Sequence, residues 1–270
     1  MMNQKVNKVK VGNDLKESMR EVVDSLGGFG KFIKSGDTVL IKPNYNTADA
    51  SPASTAPDFL RIAVELIYEA GAAKVIVGES STFTIKDHTI TTKETLTEGG
   101  VYDLEKLSKP PEIMIFDEHE WVNKQISGAK YQKSVSFPKI MTEVDKIILL
   151  PCAKTHSIAN FTGALKIVVG FMKPKERIKL HMGKMSEKVV EMNLLYQPDL
   201  IIMDARKCFI TGGPSKGEVR EPGLIFASGS RVDIDIEEVK TIQKYKGNSL
   251  ADKNAKELPQ IKYARELGIQ

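Results

Sequence analysis

The chain has 270 residues, 41% of them hydrophobic and 27% charged, an ordinary globular composition that excludes a largely disordered, collagen-like or coiled-coil protein. Thirty-nine Lys plus Arg against 35 Asp plus Glu leave a net charge of +4, too mild and too evenly mixed for a dedicated nucleic-acid binder. Cys152 and Cys208 lie in separate apolar segments and form no CxxC, so neither a disulfide framework nor a cysteine-held zinc or iron–sulfur site is available within the chain.

In chain order, the first ten residues contain no apolar stretch that could form a signal-peptide core, so a reducing cytoplasm is the expected setting. Asp14 and Glu17 read as a capping box for an amphipathic helix carrying Leu15, Met19, Val22, Val23 and Leu26, which Gly27 and Gly28 stop. Thr38 to Ile41 is short, β-branched and apolar on both faces, as in a strand buried between layers of helices. Thr55 is a candidate cap and Pro57 a first-turn residue for the next helix, which runs to Gly71 and leads into a strand from Lys74 to Val77. Strand, crossover helix and strand make a βαβ unit, whose strands are parallel.

From about 80 to 136 the pattern weakens into an inserted or capping region, with a helix expected near Val101 to Leu107, a candidate strand Ile113 to Phe116, and an alternating polar piece around Tyr131 to Val135. Strands then follow at Lys146 to Leu150, Leu200 to Met203 and Leu224 to Ala227, with helices at Ser186 to Leu195 and Asp235 to Tyr245. The most apolar run, Ile147 to Ala153, is broken by Pro151 and falls far short of the ~20 residues that span a bilayer. After a polar segment from about 246, Pro259 opens a last short amphipathic helix. The expectation is a single α/β domain over 1–270: a layered, largely parallel sheet with helices on both faces and a smaller inserted or capping region.

In an open parallel sheet, ligands bind outside the carboxyl ends of the strands, where loops diverge and helix N-termini converge. The first strand exits at Lys42 and Asn44, the second at Glu79, Ser80 and Ser81, the third at Lys154, Thr155 and His156, and the fourth at Asp204. If these strands are parallel neighbours, all of these groups share one edge. Each has a plainer reading as well: Lys42 solvated, Asn44 ordering its own turn, Glu79 capping a loop, Asp204 pairing with Arg206, His156 bonded for loop structure. His156 is the leading single candidate, as a general acid/base or a metal ligand. The stretch from Lys166 to Lys184 holds Lys166, Lys173, Lys175, Arg177, Lys179, His181 and Lys184 with only Glu176 against them. It is a solvated face or, beside the strand exits, a binder of phosphate or carboxylate. His88 and His119 adjoin acids and read as surface. Thr162-Gly163-Ala164-Leu165-Lys166 lacks P-loop spacing, and no GxGxxG follows a strand. Gly212-Gly213-Pro214 is a turn by composition, with a backbone nest for anions as its functional reading.

Taken together, GDTVLIKPN at 36–44, Thr55 with Pro57, AG before VIVGES, KTH at 154–156, TGALK at 162–166, PDLIIMDA at 198–205 with GGP at 212–214, and the closing AREL-G resemble the domain-of-unknown-function family 362 over nearly the whole chain. The resemblance implies this fold and a site at KPN, KTH and TGALK. Many relatives join the domain to a ferredoxin-like cluster module, which implies redox work. This chain has no such module, so any iron–sulfur cluster would belong to a partner protein. Members commonly carry Lys-Asn where this chain has Lys166-Ile167, and Asp-Pro-Val-Ala-Val-Asp where it has Ser230 to Asp235, keeping only the final acid. The architecture is also distantly similar to the two-lobed lactate-racemase type, in which lysines and histidines surround a metal cofactor.

The expected function is the binding of an anionic small molecule or metal cofactor at the strand-end crevice, with redox or proton-transfer chemistry. Lys42, Lys154 and Lys166 hold negative charge, Asn44 and Thr162 orient the ligand, and His156 moves a proton or binds a metal with His181. Glu79 or Asp204 sets a histidine tautomer. The alternative is a non-catalytic ligand-binding or redox-partner adaptor protein. Nucleic acid is disfavoured because Phe171 is the one aromatic residue in the basic run.

Overall fold

The computed structural model describes residues 6–80 and 91–270, apart from the side chain of His181. Twelve strands are present among them: β1 (Asn7–Lys10), β2 (Thr38–Pro43), β3 (Lys74–Glu79), β4 (Glu112–Ile115), β5 (Trp121–Gln125), β6 (Ser134–Pro138), β7 (Lys146–Leu150), β8 (Cys152–His156), β9 (Asn160–Phe161), β10 (Leu200–Phe209), β11 (Val219–Arg220) and β12 (Leu224–Ser228). The α-helices are α1 (Leu15–Asp24), α2 (Phe29–Phe32), α3 (Pro57–Glu69), α4 (Thr92–Glu98), α5 (Gly163–Lys166), α6 (Pro174–Arg177), α7 (Met185–Met192), α8 (Arg231–Ile242) and α9 (Pro259–Glu266).

The main sheet runs in the order β1-β12-β10-β7-β2-β3-β4. Its five strands β10, β7, β2, β3 and β4 are parallel, while β12 and β1 complete one edge antiparallel. Alternation along the strands divides the core. Val39, Ile41, Val75, Val77, Ile148 and Ile202 face α1 and α3, whereas Leu40, Ile76, Leu149, Ile201 and Phe226 face α7, α8 and α9. Both faces are covered, which is why these strands read as continuous apolar runs. The fold is therefore α/β, with a largely parallel sheet between helical layers.

Local chemistry explains most element ends. The Asp14 carboxylate accepts from the backbone N–H of Lys16 and Glu17 at 2.7 and 3.2 Å and so caps α1. Thr55, expected as a cap, does something else: the N-cap of α3 is Ala56. The Thr55 hydroxyl instead accepts from Asn44 N at 2.8 Å and donates to Leu150 O at 3.0 Å, tying the exit of β2 to that of β7. In the weakly patterned region, β4 pairs with β3 in the main sheet, β5 and β6 form a separate antiparallel ribbon, and the expected helix near 101 is a 3-10 turn, Val101–Lys106. Glu191 on α7 anchors the loop before β6 by accepting from the backbone of Lys130, Tyr131 and Gln132.

The strand expected to end near Met203 continues to Phe209. Its first half pairs with β7, and its second half pairs with β8, which follows β7 after Pro151. Asp204 is thus a mid-strand residue, 1% exposed. Its carboxylate accepts from Arg206 Nη2 at 2.7 Å and Nε at 3.0 Å, and Arg206 reaches on to Asp58 on α3 at 2.7 Å. The two acids hold the Arg206 guanidinium above its ordinary value despite burial. Arg206→Met would leave a buried carboxylate unpaired, which costs about 3–5 kcal/mol. Urea unfolding should show the midpoint falling accordingly; an unchanged midpoint would show that Asp204 finds water or another partner.

Candidate functional site

Lys42, the penultimate residue of β2, is 1% exposed and donates to Glu79 Oε1 at 2.5 Å and to Pro43 O at 2.7 Å. Glu79, the last residue of β3, is equally buried and also accepts from Tyr45 N and Ser80 N, both at 2.9 Å. Burial pushes Lys42 below and Glu79 above their ordinary values, while their mutual attraction opposes both shifts. The backbone at Gly170 lies so close that a Cβ there would stand 2.5 Å from Lys42 Nζ. A side chain there would have to displace the Lys42 amine from Glu79.

β8 supplies the next wall. Lys154 is 1% exposed, donates through Nζ to Ala53 O, and is lowered chiefly by burial. At the end of β8, His156 Nδ1 accepts from Ile158 N at 3.1 Å and Ala159 N at 3.2 Å. The Nδ1 lone pair is therefore occupied, and the neutral ring carries its proton on Nε2. Thr162 N bonds to Lys154 O at 3.0 Å, which joins this wall to α5.

Lys166 closes α5. Burial first, then repulsion from Lys154 and Arg177, pushes its amine down to about 8. Among the described residues it has no hydrogen-bond or ion-pair partner. Arg177, at the end of α6, is 8% exposed and donates to Ser80 O at 2.9 Å, to the Ser80 hydroxyl and to Met172 O at 3.0 Å. Among the described residues, two polar atoms here are buried without a partner: Asn44 Nδ2 and Thr162 Oγ1.

These side chains line one cavity of about 310 Å³ at the strand ends, which holds Lys42, Asn44, Glu79, Lys154, His156, Thr162, Lys166 and Arg177. Asp204 stands apart from it, on Arg206. The His181 side chain, Ser81 and His88 lie outside the described residues. The basic run divides: Lys166 and Arg177 reach the cavity, while Lys175, Lys179 and Lys184 are exposed. Gly213 N donates to Lys216 O at 2.7 Å, so this amide is spent within its own turn rather than in an anion nest.

Two acids behind the cavity were not among the expected site residues. Asp235 accepts from Ala164 N at 2.6 Å and Leu165 N at 3.0 Å, and Glu238 accepts from Lys154 N at 2.7 Å. Both are fully buried on α8, and burial pushes Asp235 up to about 8 and Glu238 well above the carboxylate range. Their i, i+3 spacing puts them on one helical face, the signal that could have found them. Gly163, at φ +55°, leaves the space that the Asp235 carboxylate fills.

Of the pair expected to hold a metal, His156 and His181, the second has no described side chain. Among the described residues no three His, Cys, Asp or Glu side chains gather to hold one. The cavity cations have no lone pair to offer while protonated, Glu79 is committed to Lys42, and His156 Nδ1 is committed to backbone amides. Nor, among the described residues, is any helix long and apolar enough to cross a membrane.

The chain is 28% identical over 225 residues to a thylakoid-associated protein of Synechocystis sp., covering 78% of this chain and 64% of that one. Its fold is similar to that of the lactate racemase apoprotein of Thermoanaerobacterium thermosaccharolyticum, at TM-score 0.51 and 12% identity over 88% of this chain and 63% of that one. The chain thus spans a little under two thirds of the length of either. Residues 39–240, from β2 through most of α8, match the family described as a domain of unknown function, DUF362. Every wall of the cavity falls within that match, and the chain belongs to the DUF362 family.

Proposed function

We propose that the protein binds a small organic anion, best a carboxylate, in the strand-end cavity and exchanges a proton with it through Lys166. The observation that carries this reading is the pair of polar atoms, Asn44 Nδ2 and Thr162 Oγ1, orphaned among the described residues, in a cavity whose described lining holds four cations and one carboxylate. An unpaired buried polar group costs about 1–3 kcal/mol, and excess buried positive charge costs more. An anion that accepts from Asn44 and Thr162 and faces Lys154, Lys166 and Arg177 relieves both penalties at once. The cavity volume, near the lower bound of the ~300–1,000 Å³ usual for ligand pockets, suits a compact ligand. That agrees with the small hydroxy acid implied by the name of the racemase whose fold is similar.

Within the site the residues divide the work. Arg177 and Lys154 are fixed by their carbonyl partners and supply standing charge. His156, with Nδ1 accepting from two backbone amides, is held in a fixed orientation at the cavity wall. Lys166, poised near 8, is a cavity-lining amine that can gain or lose a proton close to neutrality, while Asp235, also near 8, lies behind the cavity on backbone amides.

Two measurements test this. Thr162→Val removes the orphaned hydroxyl at constant shape, so thermal stability without ligand should hold or rise slightly. Affinity for a probe anion such as oxalate, read by calorimetry, should fall about tenfold, the ~1.4 kcal/mol of one hydrogen bond to a charged group. Lost stability with unchanged affinity would make Thr162 structural.

The second measurement is the pH dependence of that binding. Lys166 faces Lys154 from β8 and Arg177 from α6, with the Lys42–Glu79 pair and His156 on the same cavity. A bound anion raises its pKa above 8, so affinity should be flat below pH 7 and weaken as pH climbs through 8. Near pH 8.5 binding should take up protons, seen as a dependence of the heat on buffer ionisation enthalpy. Proton release at that pH would contradict the assignment.

A further inference from the structure

Three lysines line the cavity, and their commitments differ. Lys42 Nζ is held by Glu79 and Pro43 O, and Lys154 Nζ by Ala53 O. Lys166 Nζ has no such partner among the described residues, although it lines the same space.

Its backbone, in contrast, is tightly held. Asp235 accepts from Ala164 N and Leu165 N, and Asn193 Nδ2 donates to Leu165 O at 2.9 Å. An amine without a partner among the described residues, on a pinned and half-buried helix end beside other cations, is the arrangement that keeps a lysine nucleophilic.

We propose that Lys166 is an imine-forming nucleophile and that the cavity takes a small carbonyl-bearing anion, of which the 2-oxo acids are the simplest class. The inference rests on the anion-binding reading, because Lys154 and Arg177 must hold the carboxylate that brings the carbonyl to Lys166. In the step itself, the Nζ lone pair attacks the carbonyl carbon and the C=O π pair moves onto oxygen. Both amine hydrogens then leave with that oxygen as water, and a C=N bond joins ligand to lysine. One proton from solvent makes the iminium, which draws electrons from the adjacent carbon; nothing is oxidised or reduced. The depressed basicity of Lys166 supports the assignment, since a large share of the amine is neutral near pH 8.

The test is reductive trapping of the full chain with pyruvate and sodium borohydride, followed by peptide mass mapping, alongside calorimetry of oxalate and pyruvate binding. One reduced pyruvate adduct is expected per chain, on Lys166, and it should vanish in Lys166→Arg protein whose circular dichroism matches the wild type. Should pyruvate bind while the adduct is absent, is spread over surface lysines, or persists in Lys166→Arg, the imine assignment is overturned and the anion site stands. If neither oxalate nor pyruvate binds, the anion-binding reading itself fails, and the imine with it.

Discussion

Four cationic side chains converge at the carboxyl ends of one sheet, and among the described residues a single carboxylate, Glu79, lines the cavity with them. Burying like charges together is among the costliest things a fold can do. Nearby features reduce that cost: carbonyls of Pro43, Ala53, Met172 and Ser80 face the cations, and Glu79 neutralises Lys42. Among the described residues, Asn44 Nδ2 and Thr162 Oγ1 are buried without a partner, and the half-buried Lys166 amine has no protein partner. Local violations of good packing chemistry concentrate at functional sites, and here three of them line one small space.

The sheet is what makes this convergence unavoidable. Because β2, β3, β7 and β10 run parallel in adjacent positions, the exits of β2 and β3 point the same way, and β8 continues the course of β7 beside the far half of β10. The helix α8 then holds two pieces of the site from behind. Glu238 fixes the backbone of Lys154 and Asp235 fixes the start of α5, so residues distant in sequence are set by one rigid element. Substitutions at these acids act on the cavity through position rather than contact.

Much of this was legible in the sequence because strand ends are marked by composition. The turn KPN and the segments KTH and TGALK each follow or flank apolar runs, and the parallel arrangement carries their side chains to the same edge. Arg177 was visible only as one member of a basic run, since nothing in spacing separates a buried arginine from its solvated neighbours. Asp235 was marked only as the acid retained from the resembled motif, with no role, and Glu238 was hidden because α8 reads as an ordinary helix with acids on it; the burial of both depends on packing against α5 and β8. Asp204 looked like a strand exit because Arg206 and Lys207 follow it. The strand runs on by pairing with β8, β11 and β12, and the Asp204 and Asp58 carboxylates meet the arginine charge. Thr55 looked like a helix cap, yet the neighbouring strand exits offered its hydroxyl better partners.

The central claim is that the cationic cavity is completed by an anion, and the most direct measurement is a crystal structure of the protein with oxalate. The account predicts oxalate inside the cavity, accepting from Thr162 Oγ1 and Asn44 Nδ2 and facing Lys166 and Arg177. A cavity holding only water, with Thr162 and Asn44 turned to partners within the protein, would contradict it.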